Sequence, residues 1–150
     1  MRGFTFSGVW LCTVLFTGQA LADMPGVENP NRAKFNYMLN CQGCHGPSGS
    51  GTADGAVPQM QNYVGYFAGV KGGREFLVQV PGSANADLSN SALAEVLNWM
   101  LFTLSANELP ADFKPYETAE IQRLRDQPIE DVEPVREVLV ERINTRLERH

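Results

Sequence analysis

Cys41-Gln42-Gly43-Cys44-His45 is the most informative stretch of this chain. Two thiols and an imidazole lie within one turn of backbone, and the C-x-x-C-H spacing is the attachment signature of c-type haem. Each thiol can add across a vinyl group of the haem to form a thioether, which holds the adjacent histidine beneath the iron. The motif therefore predicts one covalently bound haem c, with Cys41 and Cys44 as thioether residues and His45 as the proximal iron ligand.

Two other chemistries share this spacing, a redox disulfide and a structural zinc site. A thioredoxin-like redox pair is expected beside a βαβ pattern, whereas a glycine-rich loop without strand periodicity follows over 46–58. A structural zinc ion needs four ligands, usually cysteine or histidine. The remaining chain offers only Cys12, in the N-terminal leader, and His150. Haem attachment is therefore the favoured interpretation.

The N-terminal segment predicts export. Arg2 provides a positive charge, residues 4–20 are apolar and uncharged, and Ala20-Leu21-Ala22 supplies the small residues of a signal-peptide cleavage site. An uncleaved membrane anchor is the alternative, because the apolar stretch is long for a signal sequence and short for a spanning helix. Attachment of haem c in bacteria follows export, so the leader and the motif both indicate the periplasm.

Length and charge limit the remaining possibilities. Without residues 1–22 the chain keeps 128 residues, enough for one domain with a modest core. Because Arg2 leaves with the leader, 11 basic residues stand against 17 acidic ones, a formal charge of −6. This acidic balance argues against binding to nucleic acid or to anionic lipid. No later apolar run is long enough to span a bilayer.

Apolar periodicity predicts a helical chain. One helix covers 31–40, runs directly into the motif, and carries three apolar side chains on one face: Phe35, Met38 and Leu39. The clearest helix covers 90–104, with an N-cap at Ser89 or Asn90 and a wide apolar face. Between these two helices, 60–67 predicts a helical turn or two. The stretch 74–80 fits a helix and an extended chain equally.

The chain beyond residue 105 is charged and predicts two further helices, over 117–126 and 132–148, separated by Pro128. Apolar residues of the second helix repeat at intervals of 3, 4, 4 and 4: Val132, Val135, Leu139, Ile143 and Leu147. Such a stripe is expected to pack against its own domain. Docking onto a redox partner, or a dimer through this C-terminal helix, is the functional alternative.

The order of these features resembles the class I cytochrome c family over about residues 30–105. The resemblance depends on a helix leading into C-x-x-C-H-G, a glycine-rich loop, the step Pro58-Gln59-Met60, and a last helix bearing Trp99. The stretch 72–82, followed by Asn98-Trp99, is similar to a bacterial periplasmic subgroup. In the family the first and last helices cross beside the haem, which implies an all-α fold.

The N-terminal leader and this resemblance together predict three parts of the chain. A signal peptide covers 1–22, a class I cytochrome c domain covers 23–105, and a charged helical C-terminal extension covers 106–150.

The sixth iron ligand departs from the family pattern. The family usually presents a methionine from the loop before its last helix, and that loop, 78–88, contains none. Met60 occupies a position that in the family packs on the side of the proximal histidine. Met100 lies on the apolar face of the last helix, where packing is the ordinary role of methionine. The sixth ligand is therefore Met60, Met100 or absent.

The sixth ligand also separates the functional hypotheses. A sulfur ligand is typical of an electron carrier, whereas an open iron can serve a small-ligand sensor or a redox enzyme. Arg74 and Glu75 lie in the right stretch to serve such an enzyme as acid–base groups, although an exposed ion pair or a helix surface is the simpler interpretation of both. We expect a non-enzymatic periplasmic cytochrome that passes single electrons between redox proteins such as a dehydrogenase and an oxidase. A haem relay subunit of a larger dehydrogenase complex is a further alternative.

Overall fold

The computed structural model describes residues 24–149, so the predicted signal peptide with Cys12 and the terminal His150 lie outside the described residues. Every regular element in this range is helical, which confirms the all-α class. The helices are α1 Pro30–Asn40, α2 Gln42–His45, α3 Val64–Phe67, α4 Gly73–Gln79, α5 Pro81–Ala84, α6 Asn90–Leu104, a 3-10 turn Ala106–Glu108, α7 Thr118–Arg125 and α8 Val132–Leu147. No helix between residues 24 and 149 is long and apolar enough to cross a membrane.

Helix α1 begins where the sequence places good capping residues. The Asn29 side chain accepts a hydrogen bond from the Arg32 N–H, and Pro30 occupies the first turn, where its missing donor is harmless. The buried side of α1 carries Ala33 and Tyr37. The face identified from periodicity is instead exposed: Phe35, Met38 and Leu39 are 57%, 47% and 68% accessible. A small residue and one aromatic ring bring α1 closer to its neighbour than three long side chains would.

Helix α6 is the centre of the core and confirms the predicted helix over 90–104. The Ser89 hydroxyl caps it by accepting a hydrogen bond from the Ala92 N–H. Helix α1 packs across α6, and the Tyr37 and Trp99 rings meet with centroids 5.4 Å apart. The crossing of the first and last core helices is thus present in this chain.

A charged link fixes the crossing at its edge. Glu95 of α6, which is 5% exposed, accepts two hydrogen bonds of 2.8 Å from the Arg32 guanidinium and one of 2.9 Å from the Asn29 N–H. Burial alone would raise the pKa of Glu95, but these donors outweigh it and the pKa is lowered. The carboxylate therefore stays ionised and ties the start of α1 to α6.

A buried amide joins three parts of the chain. Asn98, fully buried in α6, donates to the Gly26 carbonyl at 3.2 Å and the Tyr116 carbonyl at 3.0 Å, and accepts from the Tyr116 N–H at 2.8 Å. Gly26 has a φ of +76°, and a Cβ there would lie 2.4 Å from the Asn98 amide nitrogen. The segment before α1 and the connector after α6 are thereby held on the same helix.

Two glycines decide the conformation of the stretch that the sequence left open. The chain is helical over 73–79, because Gly72 turns it at a φ of +88° into the first turn of α4. A Cβ on Gly73 would lie 1.9 Å from the Phe67 carbonyl oxygen, so only glycine allows α3 and α4 to approach this closely. The Phe67 and Phe76 rings then stack with centroids 5.3 Å apart.

The C-terminal extension folds back on the rest of the chain, as the simpler interpretation of its stripe predicts. Helix α7 packs against α6 and α4, and α8 packs against α3 and α4. Leu139 and Ile143 are 2% and 1% exposed. Val135 and Leu147, at the two ends of the stripe, are 39% and 45% exposed. The centre of the stripe therefore belongs to the core of this chain.

The Leu139→Ala substitution tests the docking of α8. We expect it to lower the free energy of unfolding by about 2–5 kcal/mol, because it leaves a cavity in a packed contact. Leu147→Ala removes the same atoms from a side chain that is 45% exposed, and should change stability by less than about 1 kcal/mol. Urea unfolding of the purified full-length protein provides the measurement. Equal losses from the two substitutions would contradict the packing of α8.

Candidate cofactor site

The C-x-x-C-H motif forms a single helical turn at the end of α1. Cys41 closes α1 by donating its N–H to the Tyr37 carbonyl at 2.9 Å, and the His45 N–H then bonds the Cys41 carbonyl at 3.0 Å. The two thiols are free, with Cys41 half-buried and Cys44 exposed. The crossing helix α1 therefore sets the position of all three predicted haem-binding side chains.

Burial makes the Cys41 thiol an unusually weak acid. Desolvation, reinforced by the neighbouring Cys44, raises the pKa of Cys41 to about 11. The thiol is consequently neutral near pH 7. A redox-active C-x-x-C pair has a thiolate of lowered pKa in an electropositive setting, so this environment argues against the disulfide alternative.

The His45 ring lies in the same wall with one nitrogen lacking a partner. Its Nδ1 is buried and forms no hydrogen bond with the described residues. Desolvation lowers the pKa of His45, although the Pro58 carbonyl beside the ring acts in the opposite direction. The imidazole is therefore neutral near pH 7, and neutral imidazole is the form that binds a metal. A buried polar atom without a partner is uncommon in a folded core, and a role in a functional site is one explanation for it.

An apolar cavity opens directly against the motif. Cys41, Cys44 and His45 contribute to its wall, and its volume is about 330 Å³, within the range of about 300–1,000 Å³ that is common for cofactor sites. Helices α3, α4 and α6 supply much of the remaining lining, including Phe67, Phe76, Leu77, Leu93, Val96 and Leu97. An apolar cavity with two thiols and an imidazole at its rim fits a haem.

Both candidate sixth ligands lie in the cavity wall. Met60 belongs to the loop that leaves His45, since its N–H donates to the Gly49 carbonyl at 2.7 Å and it follows Pro58, whose carbonyl lies beside the His45 ring. Met100 comes from α6 and is 5% exposed. The two methionines therefore join the cavity wall from different elements. Met60 comes from the loop that follows His45, and Met100 comes from α6.

Arg74 and Glu75 do not contribute to this cavity. Arg74 forms an ion pair of 2.8 Å with Glu120 of α7, and its guanidinium lies 4.2 Å from the centre of the Tyr116 ring. Arg74 thus fastens the extension to α4. The ion-pair interpretation therefore holds for Arg74, with Glu120 as its partner, and an acid–base role of Arg74 or Glu75 at the cofactor has no geometric support.

Sequence reasoning missed the residue that positions the motif. The Tyr37 hydroxyl donates a hydrogen bond of 2.7 Å to the carbonyl of Gly46, the residue after His45, and burial followed by the proximity of Cys41 raises the pKa of Tyr37. Its place one helical turn before Cys41 was the available signal. The apolar triplet on the opposite face drew attention away from it.

The extension also supplies parts of the site that the sequence did not suggest. Val132 and Arg136 of α8 line the cavity. Arg125 of α7 donates to the Ala84 carbonyl at 2.7 Å and the Leu88 carbonyl at 2.6 Å, and to the carbonyl of Ala86 between them. The loop after α5, which in the family carries the methionine ligand, is therefore braced by an arginine from the extension.

Comparison with known proteins gives two relatives, both named cytochrome c-552 and both from Thermus thermophilus. The first is 28% identical over 130 residues, which cover 75% of this chain and 82% of the relative. The second is 29% identical over 103 residues and covers 57% of this chain and 78% of the relative. No protein-family model matches the chain, and no solved structure matches it significantly.

The Tyr37→Phe substitution tests the hydrogen bond that holds the motif turn. We expect a loss of about 1–2 kcal/mol in the free energy of unfolding, because the Gly46 carbonyl loses its donor in a partly buried position. Tyr66→Phe is the matched control, since the Tyr66 hydroxyl forms no hydrogen bond with residues 24–149. Urea denaturation of both purified variants gives the comparison. A loss no greater than that of the control would show that the bond contributes nothing.

Proposed function

We propose that this chain, which resembles the class I cytochrome c family, is a periplasmic cytochrome that carries one covalent haem c and transfers single electrons between redox proteins. One observation supports this above the others. The turn formed by Cys41, Cys44 and His45 lies in the wall of an apolar cavity of cofactor size. The two cytochrome c-552 relatives are consistent with it.

Each motif residue has a separate task in this proposal. Cys41 and Cys44 hold the haem through thioethers, and His45 offers a neutral imidazole to the iron. The haem supplies one-electron exchange between ferric and ferrous iron. The apolar lining excludes water from the iron and lowers the local dielectric constant. Both effects influence the reduction potential. Cys44 is exposed, so the attached edge lies near solvent, where a partner protein can approach.

The location and the partners are further parts of the proposal. The leader over 1–22 and the requirement for haem attachment after export support the periplasm. A dehydrogenase as electron donor and an oxidase or carrier as acceptor are the classes of partner that such a protein serves. The relay-subunit alternative depended on a C-terminal helix free for an interaction, and the centre of its stripe is covered by this chain.

A second candidate, a five-coordinate haem protein that binds a small ligand, is favoured by a specific observation. The loop 78–88 contains no methionine, and Met60 is tied to the loop of His45 through the Gly49 carbonyl. A sixth ligand would have to come from an element other than the loop that follows His45, and Met100 of α6 is the methionine of the cavity wall that does so. The electron-carrier proposal therefore depends on Met100, and without its sulfur the iron would be open.

Optical spectra of the purified protein, oxidised and reduced, with and without carbon monoxide, test the proposal. We expect a low-spin haem c spectrum that carbon monoxide does not change. Thiol titration in denaturant should find no free thiol after cleavage of 1–22, or one thiol, Cys12, if the leader is retained. All three cysteines of the chain titrating as thiols, with no haem spectrum, would overturn the proposal. Immediate binding of carbon monoxide would favour the five-coordinate candidate.

Substitution of the methionines identifies the sixth ligand. Met100→Ala should abolish the weak red absorption of methionine-bound ferric haem and allow carbon monoxide to bind, whereas Met60→Ala should retain that band. Met38→Ala is the control, because Met38 is 47% exposed on α1 and outside the cavity wall. Retention of the band in Met100→Ala would contradict the assignment. Loss of the band in Met60→Ala would transfer the role to Met60.

A further inference from the structure

We propose that the C-terminal extension completes the cofactor cavity and that Arg136 binds a carboxylate of the haem. The inference rests on the proposed function, since it concerns the same cofactor. It assigns a role to the extension, and it names a residue outside the C-x-x-C-H motif as part of the haem site.

Helix α8 is held in a fixed position on the domain. The chain is held just before the helix, where the Ile129 N–H donates to the Gln79 carbonyl at the end of α4 at 2.9 Å. Farther along, the Leu139 side chain lies 3.6 Å from the point where a Cβ on Gly72 would be, and Arg142 donates to the Lys71 carbonyl at 2.7 Å. Arg146 bonds the Gly69 carbonyl one turn later. Contacts at both ends therefore fix the orientation of the helix.

This orientation determines which face of α8 is turned toward the cavity. Val132 and Arg136 are one helical turn apart, so they share a face of α8, and both line the cavity that Cys41, Cys44 and His45 border. Neighbouring acidic residues of the helix, Glu133 and Glu137, are exposed and absent from the wall. Helix α8 thus closes one side of the cavity with a valine and an arginine.

Arg136 brings a positive charge into the cavity wall. It is the one charged side chain among the wall residues that the structure describes, and the rest of the wall is mainly apolar. Within residues 24–149 it has no ion pair. Arg136 is half-buried, and a charge partly withdrawn from water is stabilised by an anionic partner. The haem brings two carboxylates, and the planar guanidinium fork matches a carboxylate with two parallel hydrogen bonds.

A positive charge bound to the haem favours the ferrous state, which carries one positive charge fewer than the ferric state. Removal of that charge should therefore make reduction less favourable. We expect Arg136→Gln to lower the equilibrium constant for reduction by about tenfold, which corresponds to about 59 mV in a one-electron couple. Arg136→Lys keeps the charge and should retain most of the potential while it loses the paired hydrogen bonds.

The experiment compares three haem-loaded full-length variants: Arg136→Gln, Arg136→Lys and the control Arg123→Gln. Arg123 is an exposed residue of α7 that does not line the cavity, so its substitution changes the net charge equally. Spectroelectrochemical titration gives the reduction potentials. Infrared difference spectra between the oxidised and reduced forms report the carboxylate stretching bands of the haem. In Arg136→Gln and Arg136→Lys these bands should shift, and in Arg123→Gln they should match the parent protein.

The outcomes separate the inference from the proposed function. A parent protein without a haem spectrum would overturn both. A parent protein with haem, and equal potentials in Arg136→Gln and Arg123→Gln, would overturn the role of Arg136 and leave the cytochrome proposal intact. A lowered potential with unchanged carboxylate bands would also overturn it, because the charge would then act on the iron without binding a carboxylate.

Discussion

The crossing of α1 and α6 is the contact on which the remaining structure depends. It joins segments about 60 residues apart, and it is fixed at one end by the three hydrogen bonds of Glu95 and in the middle by the contact of Tyr37 with Trp99. Because α1 runs directly into the motif, the same contact determines where the thiols and the imidazole lie. A weakened crossing would displace the site together with the helix.

The core of this chain is built around a space for a cofactor. Helices α3, α4 and α6 turn apolar side chains toward the cavity, so part of the hydrophobic surface is buried only when the haem is present. Cofactor attachment and folding are therefore linked, since a group that binds the folded state stabilises it. Two thioethers would make that stabilisation permanent, and the third cysteine of the chain, Cys12, lies in the predicted leader.

Local signals in the sequence predicted the local parts of the structure. Asn29 and Ser89 cap α1 and α6 as their types suggest, and the motif spacing identified the cofactor before any fold was known. The buried face of α1 was not predictable in this way, because periodicity finds apolar residues and Ala33 with Tyr37 makes a weaker apolar stripe than Phe35 with its neighbours. Tertiary contacts, and not propensity, selected the face.

Contacts over long sequence separations lay beyond the sequence analysis. The helical state of 73–79 follows from the close approach of Gly73 to Phe67, and the ion pair of Arg74 goes to Glu120 across 46 residues. The cavity-facing side of α8 depends on how a whole helix docks. A single sequence shows that the helix has an apolar stripe, but it does not show which residues beside the stripe, such as Arg136, meet the cofactor.

The arginine brace on the loop between α5 and α6 has a consequence for what holds the shape of that loop. In a cytochrome whose loop is held by a sulfur–iron bond, the shape of the loop depends on the metal. Here the carbonyls of Ala84 and Leu88 are held by Arg125, a partner that does not change with the oxidation state. A backbone held in this way keeps its shape without any bond to the metal.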